Sequence, residues 1–280
     1  MSLTTDDHDR NSARMTYVYP VVSRRAGGVS IGINLNPNNA CNWRCVYCQV
    51  PGLNFGNAPE LDLRLLEHEL RQMLHDAGDD EWLRCNVPEG MRRVSDIALS
   101  GNGEPTMSKQ FEDVLAIVER VLRDAPQRIK VVLITNGSLV HAGHVQRGLV
   151  TLRELGGEVW FKLDAATDAA ARRINGSNAG IARTEKNLAL AAGACPTWIQ
   201  SMALDFAGPT LAGPELDAYC ALLVRAIANG AALRGVLLYG LARASHQPEA
   251  NDLRALPAHD LESLAQAIRT RTKLEVRVNP

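Results

Sequence analysis

Short apolar runs alternate with longer amphipathic stretches along nearly the whole chain, and this rhythm limits the available folds more than any other feature. Val29–Leu35, Asp96–Leu99, Lys130–Ile134, Glu158–Leu163, Thr197–Leu204, Leu233–Tyr239 and Leu274–Val278 read as strands. Between them, Leu61–His75, Phe111–Leu122, Val145–Leu155, Asp168–Ile174, Ala182–Ala191, Leu216–Ile227 and Asp260–Thr270 read as helices. In Leu61–His75 the apolar residues fall at helical spacing and the Glu and Arg residues on the other face. Strand followed by helix, repeated about six times, predicts an α/β fold with a parallel sheet and right-handed crossovers. An open partial barrel and a doubly wound sheet both satisfy the pattern. Either gathers ligands at the carboxyl ends of the strands, where this chain concentrates Gly, Asn and Asp.

The 280 residues suit one large α/β domain, and the formal net charge of −1 advertises no polyanionic partner. Only five of the 30 basic residues are lysines, namely Lys109, Lys130, Lys162, Lys186 and Lys273, so a lysine at a strand end draws notice. Residues 1–19 are expected to be disordered or loosely attached, and residues 20–280 to form a single core domain. No run approaches the ~18 apolar residues of a membrane span, the polar start resembles no signal peptide, and a cytoplasmic location follows.

Three of the six cysteines crowd into Cys41-Asn-Trp-Arg-Cys45-Val-Tyr-Cys48, with spacing C-x3-C-x2-C. Three thiolates in one loop can each take one iron of a cubane cluster and leave the fourth iron open. They could also hold structural zinc with a fourth ligand such as His8 or Cys85, although a second cysteine pair, the usual zinc companion, is absent. Cys85, Cys195 and Cys220 are scattered and read as isolated thiols. Further polar turns follow the strands. Ser100-Gly-Asn-Gly-Glu-Pro-Thr106 offers Gly101 and Gly103, which let backbone approach a ligand, beside the acceptor Glu104. Thr135-Asn136-Gly137 closes the next strand. Lys162 and Asp164 stand two apart and share a face. Gln200 and Ser201 are adjacent, so only one of them faces inward.

The cysteine loop directly after the first long strand, with Tyr47 before its third cysteine, resembles the signature of the radical S-adenosylmethionine (SAM) superfamily. That resemblance implies a partial (β/α)6 TIM-like barrel, one [4Fe–4S] cluster on Cys41, Cys45 and Cys48, and SAM chelated by the open iron. One electron from the cluster would break the S–C5′ bond, giving methionine and a 5′-deoxyadenosyl radical that abstracts hydrogen from a substrate. The resemblance further implies a one-electron donor such as flavodoxin or ferredoxin. It assigns Gly103 and Glu104 to the SAM amino group, Asn136 to the neighbourhood of the cofactor, and Lys162 and Asp164 to ribose, carboxylate or substrate. Ser201 becomes the inward polar residue of its strand, and Tyr239, Arg243 and His246 fall where adenine and substrate contacts arise.

Within the superfamily, Pro20–Ile33, Cys45-Val-Tyr-Cys-Gln49, Ser100–Pro105 and Leu163-Asp-Ala with Arg172-Arg-Ile-Asn175 look like the wyosine-synthase-like group. That group implies a tRNA substrate, a second cluster upstream and a lysine that holds pyruvate. This chain has no cysteine before Cys41, so a one-cluster enzyme is the reading, with tRNA modification as an alternative that is not favoured. A non-catalytic Fe–S or zinc module is the remaining alternative. The substrate is not legible.

Overall fold

The computed structural model describes residues 3–4, 10, 12–23, 26–125 and 127–280. His8, the proposed zinc partner, lies outside the described residues. The chain gathers into two compact units built from interleaved segments. The first takes the chain up to Cys41 with Gly56–Ile134 and Ala142–Glu158, and the second takes Asn42–Phe55, Thr135–His141 and Val159–Pro280.

In the first unit, β1 (Val18–Ser23) runs antiparallel to β2 (Gly28–Ile33), in register from Val18 opposite Ile33 to Ser23 opposite Gly28. Strands β3 (Val94–Leu99) and β4 (Lys130–Thr135) follow, each parallel to its predecessor. Helices α1 (Leu63–Ala77), α2 (Asp80–Asn86), α3 (Phe111–Arg123) and α4 (Gly143–Glu154) make the connections. Asp62 caps α1 by accepting the Arg64 and Leu65 amides, both at 3.0 Å, satisfying donors that the first turn leaves over. Leu66, Leu70 and Met73 then bury the apolar stripe.

Strand β1 has no counterpart among the predicted strands. Pro20 within it reads as a breaker, yet β1 is the edge of its sheet, where a missing amide costs no ladder bond. Its entry is held by Glu69 of α1, whose buried carboxylate accepts the amides of Thr16 (2.7 Å), Tyr17 (2.8 Å) and Val18 (3.2 Å). Two expectations change accordingly. Glu69 does not lie on the outer face of α1, and within residues 1–19 Tyr17, Val18 and Tyr19 are buried and the Leu3 amide bonds Asn86 O at 2.8 Å.

In the second unit, β5 (Glu158–Lys162), β6 (Thr197–Met202), β7 (Leu233–Tyr239) and β8 (Val276–Asn279) are parallel neighbours in that order. The helices are α5 (Asp168–Asn175), α6 (Ile181–Ala194), α7 (Gly213–Ala228) and α8 (Ala258–Thr272). Thr167 caps α5 on the Ala170 amide at 3.2 Å, and the helix stops at Gly176 in the left-handed region, φ 62°. At the carboxyl ends of these strands Val46 and Tyr47 sit in an apolar cluster with Ala171 and Ile174 of α5, Leu204 and Leu253. That cluster anchors the second half of the cysteine loop.

Candidate functional site

Cys41, Cys45 and Cys48 are all half-buried, and none forms a disulfide; Cys85 is exposed, while Cys195 and Cys220 are buried. Backbone bonds dock the loop on the end of α5: the Arg44 amide donates to Asn175 O and the Val46 amide to Ile174 O, both at 2.9 Å. A side chain on Gly176 would stand 3.3 Å from the Arg44 backbone, so the glycine that ends α5 also keeps room for the loop. Asn175 then turns its amide inward, giving one hydrogen to Cys45 Sγ at 3.3 Å and the other to Asp164 Oδ2 at 2.7 Å.

Asp164 is fully buried and serves as the hub. Its Oδ1 accepts the Met202 amide at 2.8 Å, while Oδ2 accepts the Tyr47 hydroxyl as well as Asn175. Lys162 donates to Tyr47 Oη at 2.7 Å and lies 3.8 Å from Asp164. A buried carboxylate needs this many partners, because desolvation is otherwise ruinous for a charge. Burial, followed by the neighbouring Asp164 charge, holds the Tyr47 phenol well above its ordinary range. Burial likewise pushes the Cys45 thiol up to about 12, with the Lys162 ammonium pulling the other way. In the metal-free chain Cys45 is therefore a thiol. A bound metal would take its proton, since metal ligation requires thiolate.

The turn after β4 is joined to the same loop. Asn136 donates to Asn42 Oδ1 at 2.8 Å and Asn42 donates to Ser138 Oγ at 2.7 Å, so Asn136 orients the residue beside Cys41. Gly137 has φ 71°, and a Cβ there would stand 2.1 Å from the Phe161 ring. On the other side of the loop, Ser245, His246, Gln247 and Glu249 bond to residues Arg44–Val50.

In the first unit, the turn that carries Gly101, Gly103 and Glu104 is closed on the segment before Cys41. A Cβ on Gly103 would lie 2.0 Å from the Ala40 carbonyl, and one on Gly101 2.4 Å from Asn34 Oδ1. Glu104 is buried and caps the short helical turn Pro105–Met107, accepting the Thr106 amide at 3.1 Å and hydroxyl at 2.5 Å.

Ser201 is buried on β6. Its hydroxyl is engaged by Leu163 O at 2.6 Å and by Tyr219 of α7 at 2.8 Å. Gln200 is the register partner of Lys162, so it is Gln200 that shares the Lys162 face. Its buried Oε1 has no hydrogen-bond partner among the described residues. Tyr239 ends β7 beside Met202. The His246 side chain is exposed and only its backbone amide meets the loop, while Arg243 is half-buried. Sequence reading missed Ser245, Gln247 and Glu249, which carry no local motif, and it assigned no role to Asn42 and Arg44 within the cysteine motif. Asn175 was visible only as the end of a familiar-looking stretch.

Among the described residues, no group of three or more His, Cys, Asp or Glu side chains is already assembled for a metal ion. The donor chemistry nevertheless fits an iron–sulfur cluster: three thiols outside any disulfide at C-x3-C-x2-C spacing, one of them already receiving an N–H from Asn175. No described helix is long and apolar enough to cross a membrane.

A 132-residue stretch is 28% identical to "GTPase Obg" of Brachyspira hyodysenteriae, covering 47% of this chain and 17% of that protein. Over 165 residues the chain is 27% identical to UPF0026 protein slr1464 of Synechocystis sp., covering 59% of this chain and 54% of that protein. The match thus spans about half of one curated relative and much less of the other. Among solved structures, TYW1 with a lysine-pyruvate adduct bound superposes with a TM-score of 0.55 at 14% identity, over 96% of this chain and 80% of that one. Native anSMEcpe with bound AdoMet gives 0.50 at 16% identity, over 74% of this chain and 50% of that one. Identities this low show the fold alone, the α/β partial barrel. Because the family model matches residues 35–206, more than half of the chain, this protein belongs to the Radical SAM superfamily of enzymes.

Proposed function

We propose that the chain holds one [4Fe–4S] cluster on Cys41, Cys45 and Cys48 and uses it to cleave SAM reductively for hydrogen abstraction from a substrate yet to be identified. The observation that carries this reading is Cys45, a thiol outside any disulfide, fixed by Asn175 within the Tyr47–Lys162–Asp164 network. When bound, such a cluster passes one electron, received from a flavodoxin- or ferredoxin-like donor, into the S–C5′ bond of SAM, yielding methionine and the 5′-deoxyadenosyl radical.

The protein's part is position and charge. Asn175 donates to the Cys45 sulfur and offsets the negative charge that a thiolate would carry there. Asp164 bonds Asn175 and Tyr47 at once and so ties the ligand loop to α5. Lys162 brings an ammonium into this network through Tyr47 and Asp164. Gln200 presents a buried acceptor without a donor among the described residues on the Lys162 face, which suits a ligand N–H or O–H. Glu104 and Gly103 serve the SAM amino group in this reading, and Tyr239 the adenine.

The test is 5′-deoxyadenosine formation by anaerobically reconstituted protein with a strong reductant and SAM, beside a Cys48→Ala control. Cysteine-dependent nucleoside is the expected result. Zinc in place of about four irons and inorganic sulfide per chain, with no response to SAM, would instead establish a metal module.

A further inference from the structure

We infer that Ser245–Glu249 is a strap that fixes the second half of the cysteine loop, with Ser245, Gln247 and Glu249 as positioning residues for its thiols. This rests on the reading that those thiols ligate the cluster. The family match ends at residue 206, so the strap comes from a part of the chain outside it.

The loop's carbonyls need donors, and an exposed loop would take them from water. Here they come from fixed protein groups. Three donors converge on Cys48 O: the His246 amide at 2.9 Å, Ser245 Oγ at 3.2 Å and Gln247 Nε2 at 3.4 Å. Ser245 Oγ also reaches Val46 O at 2.7 Å, and Gln247 Nε2 reaches Val50 O at 3.2 Å. Arg44, inside the motif, forks onto Glu249 through two bonds of 2.9 and 2.7 Å.

The strap is itself braced. The Gln247 amide bonds Ser245 Oγ at 3.0 Å, Pro248–Asp252 forms a short helical turn, and Leu253 enters the apolar cluster that contains Val46 and Tyr47. Ser245 and Gln247 are both buried. Polar side chains are buried this way where they satisfy a specific backbone, and here that backbone carries two cluster cysteines. Donors placed on Cys48 O also withdraw negative charge beside the Cys48 sulfur, as outer-shell groups do at metal sites.

The experiment uses the full chain with Ser245→Ala, Gln247→Ala and Glu249→Gln, and with Ser245→Thr and Glu249→Asp as conservative partners. In the metal-free protein, iodoacetamide labelling of Cys48 is followed by peptide mass spectrometry, with exposed Cys85 as internal reference. Each lost bond is expected to raise Cys48 labelling relative to Cys85 by roughly fivefold, the equivalent of one ordinary hydrogen bond. In reconstituted protein the same variants should release iron to a chelator faster and change the electron paramagnetic resonance line shape of the reduced cluster, with Ser245→Thr and Glu249→Asp keeping both close to wild type. Wild-type labelling, iron loss and line shape in Ser245→Ala and Gln247→Ala would overturn the strap. Should those two unfold, Glu249→Gln, at a partly exposed ion pair, decides by the same readouts. If the wild type itself takes up no iron and sulfide, the cluster reading fails while the labelling arm still judges the strap.

Discussion

Asn175 has one amide group and spends both hydrogens on groups that differ in charge: the Cys45 sulfur and the Asp164 carboxylate. Hydrogen bonds to cluster sulfurs stabilise the reduced, more negative state. With Cys45 as a ligand of the proposed cluster, Asn175→Leu, which keeps the volume and removes both donors, should make the reconstituted cluster harder to reduce, its potential moving to more negative values in an optically monitored redox titration. An unchanged or higher potential would sink the idea. The fold should lose about 1–3 kcal/mol as well, because Asp164 is left short of a donor in a buried place. Gly103 makes a different kind of prediction. Its absent side chain is filled by the Ala40 carbonyl, so Gly103→Ala should cost at least ~1–3 kcal/mol in urea unfolding and loosen the base of the loop at Cys41. The turn was legible from its glycines, whereas the packing of Gly103 against the Ala40 carbonyl was not. Gln200 and Ser201 expose the limit at this scale. Adjacent polar residues on a strand are equivalent until the register with Lys162 is known.

At the level of elements, α1 ties the first unit together through two glutamates two residues apart. Glu69 holds the entry to β1, and Glu69→Ala would leave the two buried amides of Tyr17 and Val18 and the part-buried amide of Thr16 without this acceptor. A loss of about 3 kcal/mol is expected from such orphans, with Glu69→Gln recovering part of it; a loss below ~0.5 kcal/mol would mean that β1 is held by its ladder alone. Glu67 instead faces α3, accepting from Arg120 Nε at 3.0 Å and from Arg71. Hydrogen bonding from Arg120, aided by Arg71, holds its carboxylate at about 2. A carboxylate depressed in the fold stabilises it above the unfolded value near 4.5 and loses that contribution as pH falls toward about 2. Wild type should therefore exceed Glu67→Gln by less than ~1 kcal/mol at neutral pH, as for other surface pairs, and the gap should close progressively below pH 4.5. Most helices and the parallel strands were readable because burial imposes periods of about 3.6 and 2 on the apolar residues. Glu69 and β1 were not readable, for one shared reason: an edge strand containing Pro20 and a buried carboxylate each look wrong alone and make sense only as partners.

For the whole molecule, the alternation of strand and helix was visible, and the interleaving of the two units was not. Periodicity is local, whereas the second unit borrows Asn42–Phe55 and Thr135–His141 from far upstream of its main segment. Those borrowed stretches are not decoration. Val46 and Tyr47 complete the apolar cluster with Ala171, Ile174, Leu204 and Leu253, and Tyr47 supplies a hydrogen bond to buried Asp164. A fragment containing only residues 159–280 would expose that cluster and leave Asp164 without its phenol partner. Burying apolar surface is the main source of stability, and net stability is a small difference between large terms, so losing two core side chains at once is decisive. The fragment should therefore show a broad, non-cooperative melt by circular dichroism and rapid cleavage under limited proteolysis, where the full chain melts cooperatively. Adding a synthetic peptide spanning residues 42–55 in excess should protect it partly, because the peptide restores the missing core residues by mass action. A sharp cooperative transition in the fragment alone would show that the second unit is an autonomous domain, and that the cysteine loop is a passenger on it rather than part of its core.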